Sequence, residues 1–368
     1  MHRIYAFYFP QLYSIPENDL WWGEGFTDWK LVQQAKPNFP GHMQPRVPAL
    51  GYLNQSLPEV IAKQGRLAAQ YGVSGFNFYH YWFDDRPLLE KPLENLHADS
   101  SIPVEFMLTW ANESWTRQWI GKPNDYLIKQ TYQMDSNGWM RHYRYLARFF
   151  ADPRYVKVGN APVFCIYRPE LIPDLPQRLE AYRQFARADG FSDLHILACR
   201  AYDIAGTGQW TQLFNGVINF NPRYILNRYL RKVSYLQAKG EKLLRVLPER
   251  IQSAMVGFLR NKQNYSVYDY QEFLMRLANP ADAICGGLPA YSSVFPDWDN
   301  TARYSERATL FRNASPAAFR DALRIVKGQL SPRHQPWVFI NAWNEWSEGA
   351  YLEPDKITGL RYLHELLS

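Results

Sequence analysis

The chain has 368 residues and a formal net charge of +6, long enough to bury a large core as one α/β barrel with insertions or as two domains. It holds no run of about 18 apolar residues, which excludes a membrane-spanning helix on the sequence alone. Aromatic residues make up 16%, with 13 Trp and 25 Tyr, more than a core needs, so a cleft lined by flat rings that suit sugars or nucleobases is expected.

The chain enters a strand pattern at once, at Met1 to Phe9, without the basic, apolar and small-residue segments of an export signal, so a cytoplasmic protein is expected. Short apolar runs rich in β-branched and aromatic residues predict eight strands: Ile4 to Phe9, Val73 to Tyr81, Val104 to Trp110, Pro162 to Tyr167, Leu194 to Arg200, Gly216 to Phe220, Ile284 to Tyr291 and Trp337 to Trp343. Helical spacing recurs between them, at Leu57 to Tyr71, Gly138 to Phe150, Gln177 to Ala188, Tyr268 to Ala278 and Pro316 to Lys327. This alternation predicts parallel strands joined by helices, and eight units predict an α/β fold of the (β/α)8 TIM-barrel type, a single catalytic domain over residues 1–368. Ala201 to Asn215 is too short and Gly-rich for a full helix. A doubly wound open sheet is the alternative, unsupported by any GxGxxG or GxxxxGK[ST] motif.

Long insertions follow strand 1 (Pro10 to Ser56) and strand 6 (Asn221 to Asn264), and loops after strands build the active face of a barrel. Within residues 222–263, ten Lys and Arg stand against two Glu, and Leu243, Leu244, Leu247, Ile251, Met255 and Leu259 recur at helical spacing. A basic amphipathic helix interrupted at Pro248 is expected, either a solvated face packed on the barrel or a surface for anionic lipid or a phosphate-bearing, lipid-linked glycan. No nucleic-acid motif accompanies it, so no nucleic-acid partner is expected. Cys165, Cys199 and Cys285 lie far apart inside apolar runs and read as small buried residues of a reducing compartment.

The segment Asn341 to Gly349 follows the last strand and places Glu345 and Glu348 three residues apart among tryptophans. Cleavage of a glycosidic bond by two carboxylates needs one to protonate the leaving oxygen and another to attack or to activate the attacker. Glu345 and Glu348 are the catalytic candidates. Other strand ends add candidate substrate-binding residues: Tyr8 and Gln11, Tyr79, His80 and Trp82, Trp110, Asn112, Glu113 and Trp115, with Asn344 and Trp346 beside the glutamates. No HxxxH or HxH spacing suggests a metal, no GxSxG suggests a serine nucleophile, and Asp297-Trp298-Asp299 matches a DxD motif too short to distinguish from chance. Neither metal nor cofactor is expected.

The segments Ala6 to Gln11, Trp21 to Trp29, Phe39 to His42, Tyr79 to Phe83, Trp110 to Trp115, Trp298 to Thr301 and Asn341 to Gly349 resemble the glycoside hydrolase family 99-like proteins, also labelled WbsX-type glycosyltransferases. The resemblance spans nearly the whole chain and is weakest in the basic insertion. It implies a (β/α)8 barrel and a retaining attack on an α-mannoside-type bond. Mapped by motif, Glu345 would deprotonate the sugar's 2-hydroxyl to form an anhydro-sugar, and Glu348 would act as acid and then base; Ser347 stands where the hydrolases have His. The resemblance also links the chain to bacterial surface polysaccharide, O-antigen or capsule, biosynthesis. The expected function is a retaining glycosidase-type enzyme that cleaves or transfers α-mannoside-like bonds of an oligosaccharide or polysaccharide. It would be cytoplasmic and peripheral on the inner face of the membrane, with a nucleotide-sugar-dependent glycosyltransferase as the alternative.

Overall fold

The computed structural model describes residues 2–117, 122–201, 212–230 and 265–367. Eight parallel strands form the centre: β1 (Arg3–Tyr8), β2 (Gly75–Phe83), β3 (Glu105–Trp110), β4 (Ala161–Ile166), β5 (His195–Arg200), β6 (Gly216–Asn219), β7 (Leu288–Ser292) and β8 (Trp337–Ile340). Each pairs with its sequence neighbour from β1 through to β7, and β1 also pairs with β8. The ring closes just beyond β7, where Val294 bridges Ile340 in parallel, its N–H donating to the Phe339 carbonyl at 3.0 Å. The expected α/β barrel is therefore present, with all eight predicted strands within a few residues of their places.

The departures are local. Predicted strand 7 is two pieces, because Gly286 and Gly287 both take positive φ and fold Ile284–Cys285 back antiparallel onto Leu288 and Pro289, the conformation a two-residue hairpin requires. The helices Pro58–Gln70, Ser136–Phe150, Leu175–Ala188, Tyr270–Leu277 and Pro316–Gln329 match the predicted ones. Three start on capping side chains, Asp135 accepting from the Gly138 N–H at 2.7 Å, Asp269 from the Gln271 N–H at 2.9 Å and Ser315 from the Ala318 N–H at 3.2 Å, each worth about 1 kcal/mol. Residues 202–211, between β5 and β6, and most of the basic insertion lie outside the described residues. Of its ten cations only Arg223 and Arg228 are described, and the expected amphipathic helix falls outside.

The barrel face that carries each side chain follows from strand alternation. Phe7 and Asn77 are register partners, as are Tyr79 and Thr109, and these face the barrel axis. Tyr8 with Phe78, and His80 with Trp110, are the intervening pairs and face the surrounding helices. The insertion after β1 contributes two short helices, Pro16–Trp22 and Asp28–Gln34, at the carboxyl end of the strands.

Candidate active site

Beyond β8 the chain forms a tight hairpin in which Asn344 and Glu345 pair antiparallel with Tyr351 and Ala350 around a single turn, Trp346–Glu348. Gly349 closes the turn at φ 69°, a left-handed conformation that glycine adopts without strain. The Asn344 side chain fastens the hairpin to the end of β1: it accepts from the Phe9 N–H at 2.8 Å and donates to the Phe9 carbonyl at 2.9 Å. Glu345 and Glu348, 4% and 5% exposed, are thereby set on the carboxyl-end face of the barrel, where enzymes of this architecture keep their chemistry.

One guanidinium joins the two carboxylates. Arg303, on the turn of helix Thr301–Tyr304, donates from Nη2 to Glu345 at 2.7 Å and lies 2.8 Å from Glu348 through Nη1. Nη2 also reaches Asp28 at 2.9 Å, and Asp28 accepts the Ser347 hydroxyl, so a third carboxylate anchors the arginine from below. Arg223, from the segment after β6, donates to Glu348 at 3.2 Å. Burial, joined by the charges of Glu348 and Asp28, pushes Glu345 up to about 8 although Arg303 opposes the shift. Burial also works against the charge on Arg303, but Asp28, Glu345 and Glu348 outweigh it and hold the guanidinium firmly protonated. Buried opposite charges need such mutual satisfaction, since an uncompensated one costs several kcal/mol.

The glutamates open into a pocket with about 980 Å³ of empty space. Its walls include the predicted residues Gln11, Tyr79, Glu113 and Trp115. Trp115 meets Trp21, Tyr81 and Phe83 edge-on at centroid distances of 5.9, 5.2 and 5.3 Å, and Tyr79 stacks on Phe7 at 5.5 Å. Glu113 is paired with Arg168. Flat apolar walls around a few convergent polar groups are the composition of a small-ligand site, and the CH faces of a sugar ring fit them.

The other predicted side chains lie elsewhere, and alternation along the strands explains most of them. Tyr8 points outward and donates to Gln64 at 2.6 Å; Gln64 in turn donates to Glu353 at 2.6 Å, and Trp346 reaches the other oxygen of Glu353 at 2.7 Å. Tyr8 and Trp346 thus belong to one buried network under the hairpin. His80 meets His142 nitrogen to nitrogen at 2.9 Å, and His142 meets the Tyr182 hydroxyl at 2.6 Å. Burial drives His80 down to about 3, so it is neutral. Trp82 stacks on His142 at 4.7 Å and Trp110 meets Trp139 at 6.0 Å, both in the layer between strands and helices. Asn112 is buried and holds the Tyr132 hydroxyl at 2.8 Å and the Arg168 backbone at 2.7 and 2.8 Å. Asn344 acts on the backbone of Phe9, as described. None of these seven lines the pocket.

Asp297 and Asp299 also have protein partners: Asp297 pairs with Arg46 at 2.7 Å, and Asp299 binds His42 at 2.7 Å and Gln44 at 2.6 Å. Burial raises Asp297; it opposes ionisation of Asp299 too, but hydrogen bonds from His42 and Thr301 prevail and hold that group low. Among the described residues no group of three or more His, Cys, Asp or Glu is arranged to hold a metal ion. Cys165, Cys199 and Cys285 are buried thiols. The sequence reading missed Arg303, Asp28, Trp21, Trp22, Tyr81 and Tyr304 at the site. Alternation would have found Tyr81, which shares a strand face with Tyr79.

The family model for the glycosyltransferase WbsX matches residues 4–366. WxcX proteins from two strains of Xanthomonas campestris pv. campestris, B100 and ATCC 33913, are each 35% identical over 362 residues. The match covers 97% of this chain and 48% of theirs, so the chain spans about half the length of these relatives. In fold it is similar to the GH99 endo-alpha-mannosidase from Bacteroides thetaiotaomicron, with a TM-score of 0.54 at 15% identity over 99% of this chain and 94% of that one. It is also similar to a glycoside hydrolase-like protein, with a TM-score of 0.56 at 12% identity over 99% and 92%. Matched from its fourth residue to its 366th, the chain belongs to the WbsX glycosyltransferase family.

Proposed function

We propose that this chain is the catalytic barrel of a carbohydrate-active enzyme of retaining glycosidase type, which cleaves or transfers α-mannoside-like bonds during assembly of a bacterial surface polysaccharide. The observation that carries the reading is the pair of buried carboxylates, Glu345 and Glu348, bridged by Arg303 at 2.7 and 2.8 Å in an aromatic pocket. Binding alone requires neither acid nor base. Family membership and the likeness in fold to the GH99 endo-alpha-mannosidase support the substrate class.

In this reading Glu345 takes the proton from the sugar's 2-hydroxyl, which displaces the anomeric leaving group and closes an anhydro ring. Glu348 protonates the departing oxygen and then deprotonates the incoming water or acceptor hydroxyl. A carboxylate raised to about 8 is a stronger base than an ordinary one and still ionises near neutral pH, which suits proton removal from an alcohol. Gln11, Tyr79, Glu113 and Trp115 would hold the sugar. A transferase using a nucleotide sugar is the second reading, favoured by the family's description. Its usual DxD device has no support, since Asp297 and Asp299 are engaged by Arg46, His42 and Gln44.

The test is product analysis with mannose-containing lipid-linked oligosaccharides, with and without nucleotide sugars. Release or exchange of α-mannosides without nucleotide supports the glycosidase reading; strict dependence on nucleotide supports the transferase. Glu348→Gln should lower turnover by several orders of magnitude while sugar binding persists. A cytoplasmic site on the inner membrane face is part of the same proposal, resting on the ten cations against two glutamates in residues 222–263. No helix among the described residues is long and apolar enough to cross a membrane. Attachment to anionic but not neutral vesicles, fading as salt rises, is the expected behaviour.

A further inference from the structure

A second cleft adjoins the first, with about 890 Å³ of empty space. Arg223 and Tyr304 line both and so form the shared wall. The two differ in chemistry. The glutamate pocket is aromatic and, among the described residues, is lined by three carboxylates, Glu113, Glu345 and Glu348. Among the described residues the second is lined by no carboxylate, and it carries two guanidiniums, Arg223 and Arg307, with the hydroxyls of Ser266, Tyr268, Tyr304 and Thr309. A short parallel strand pair, Ser266–Asp269 with Thr309–Arg312, sets Ser266 opposite Thr309. Trp298 also lines this cleft; it is 2% exposed, and its indole N–H has no hydrogen-bond partner among the described residues. A buried donor without an acceptor costs about 1–3 kcal/mol, so its cost falls if a bound ligand accepts from it.

We propose that this cleft binds a phosphate or diphosphate group carried by the sugar substrate. The inference rests on the carbohydrate reading of the neighbouring pocket and names the class of sugar it takes: a glycosyl phosphate or diphosphate rather than a neutral glycan. Guanidinium forks match phosphate oxygens two at a time, and hydroxyl and indole donors complete the shell. Arg223 already touches Glu348 at 3.2 Å, so a phosphate on this wall sits one guanidinium away from the candidate acid. A sugar lying on the aromatic side would then present its reacting bond between the two subsites.

Equilibrium binding to the full chain, followed by tryptophan fluorescence, tests this with three probes: methyl α-mannoside, α-mannose 1-phosphate and inorganic pyrophosphate. The phosphorylated sugar should bind at least about tenfold more tightly than the methyl glycoside, and the preference should shrink as salt rises. Arg307→Gln should collapse that ratio towards one, while Arg307→Lys, which keeps the charge, should retain part of it; circular dichroism checks that each variant is folded. Further tightening with GDP or UDP would assign the phosphate to a nucleotide, and with farnesyl diphosphate to a lipid carrier; either supports the site. Equal affinity for the two sugars, or a ratio that Arg307→Gln leaves unchanged, overturns it. The two readings fail separately. Methyl α-mannoside binding without pyrophosphate binding defeats the anion site alone, whereas Arg307-dependent pyrophosphate binding with no sugar binding defeats the carbohydrate reading alone.

Discussion

Asp28 accepts a hydrogen bond from Ser347, one of the two residues between the candidate catalytic glutamates, across 319 positions of sequence. The same carboxylate oxygen takes Arg303 at 2.9 Å, so one buried anion, 1% exposed, fixes both the turn that carries Glu348 and the cation that bridges the glutamates. Asp28→Asn should therefore act through position and charge. Turnover should fall by about 10²-fold, the usual consequence of displacing a catalytic group by about 1 Å. Loss of a negative neighbour removes one of the influences that raise Glu345, so the limb of the rate profile that reports Glu345 should move to lower pH. Ser347→Ala leaves Asp28 on Arg303 and should do less. A pH profile that Asp28→Asn leaves unmoved would deny Asp28 this electrostatic role.

Strand positions and the two glutamates were legible because each depends on local pattern: short β-branched runs mark buried parallel strands, and Glu345 and Glu348 follow the last of them directly. The pocket wall was legible only in part. Tyr8, His80, Trp82 and Trp110 occupy strand ends but the outward face, and the register pairs Tyr8 with Phe78 and His80 with Trp110 put them together under the helices. Once Tyr79 is assigned inward, alternation sends His80 outward and Tyr81 inward, a step available from sequence. Arg303 and Asp28 were not available in that way. Their roles arise from contacts between three separate segments, and charge alone does not separate a buried clamp from a surface arginine.

Glu345 also makes stability depend on pH. Its carboxyl is raised by burial from 4.5 to about 8, so the folded state favours the protonated form. That contribution is fully present below about 4.5 and is lost as pH rises through about 8. The amide of Glu345→Gln cannot ionise. Wild type should therefore lose melting temperature relative to Glu345→Gln between about pH 5 and about pH 9, measured as paired thermal scans. A constant difference across that range would place the Glu345 carboxyl near its ordinary value in the fold.

The proposed role of Glu345 fixes a substrate requirement. If the 2-hydroxyl is the internal nucleophile, a 2-deoxy mannoside has no oxygen with which to close the anhydro ring, and it should not turn over where its parent does. The synthetic anhydro-sugar should instead be opened by water or acceptor, with Glu348 supplying the proton transfer, so Glu348→Gln should block this step. Comparable turnover of the 2-deoxy substrate, followed by product chromatography, would exclude the mechanism and leave attack by a carboxylate itself.

Gly349 offers the sharpest test of the hairpin's geometry. Its φ of 69° costs a residue with a side chain about 1–2 kcal/mol, and a Cβ there would stand 2.8 Å from the Asp299 nitrogen and 3.0 Å from its oxygen. That backbone is no loose neighbour: the Asp299 N–H donates to the Glu348 carbonyl at 2.8 Å, and Arg303 follows four residues later. Gly349→Ala must therefore push the glutamate turn and the arginine segment apart, which stretches the contact between Arg303 and Glu348. Gly51→Ala is the matched control, since φ is 82° there and a Cβ meets nothing within 4 Å. Both variants should lose roughly a few degrees of melting temperature from backbone strain. Only Gly349→Ala should also lose turnover, by about 10²-fold if the displacement reaches about 1 Å. Equal activity of the two variants would show that the distance from Glu348 to Arg303 does not limit the reaction.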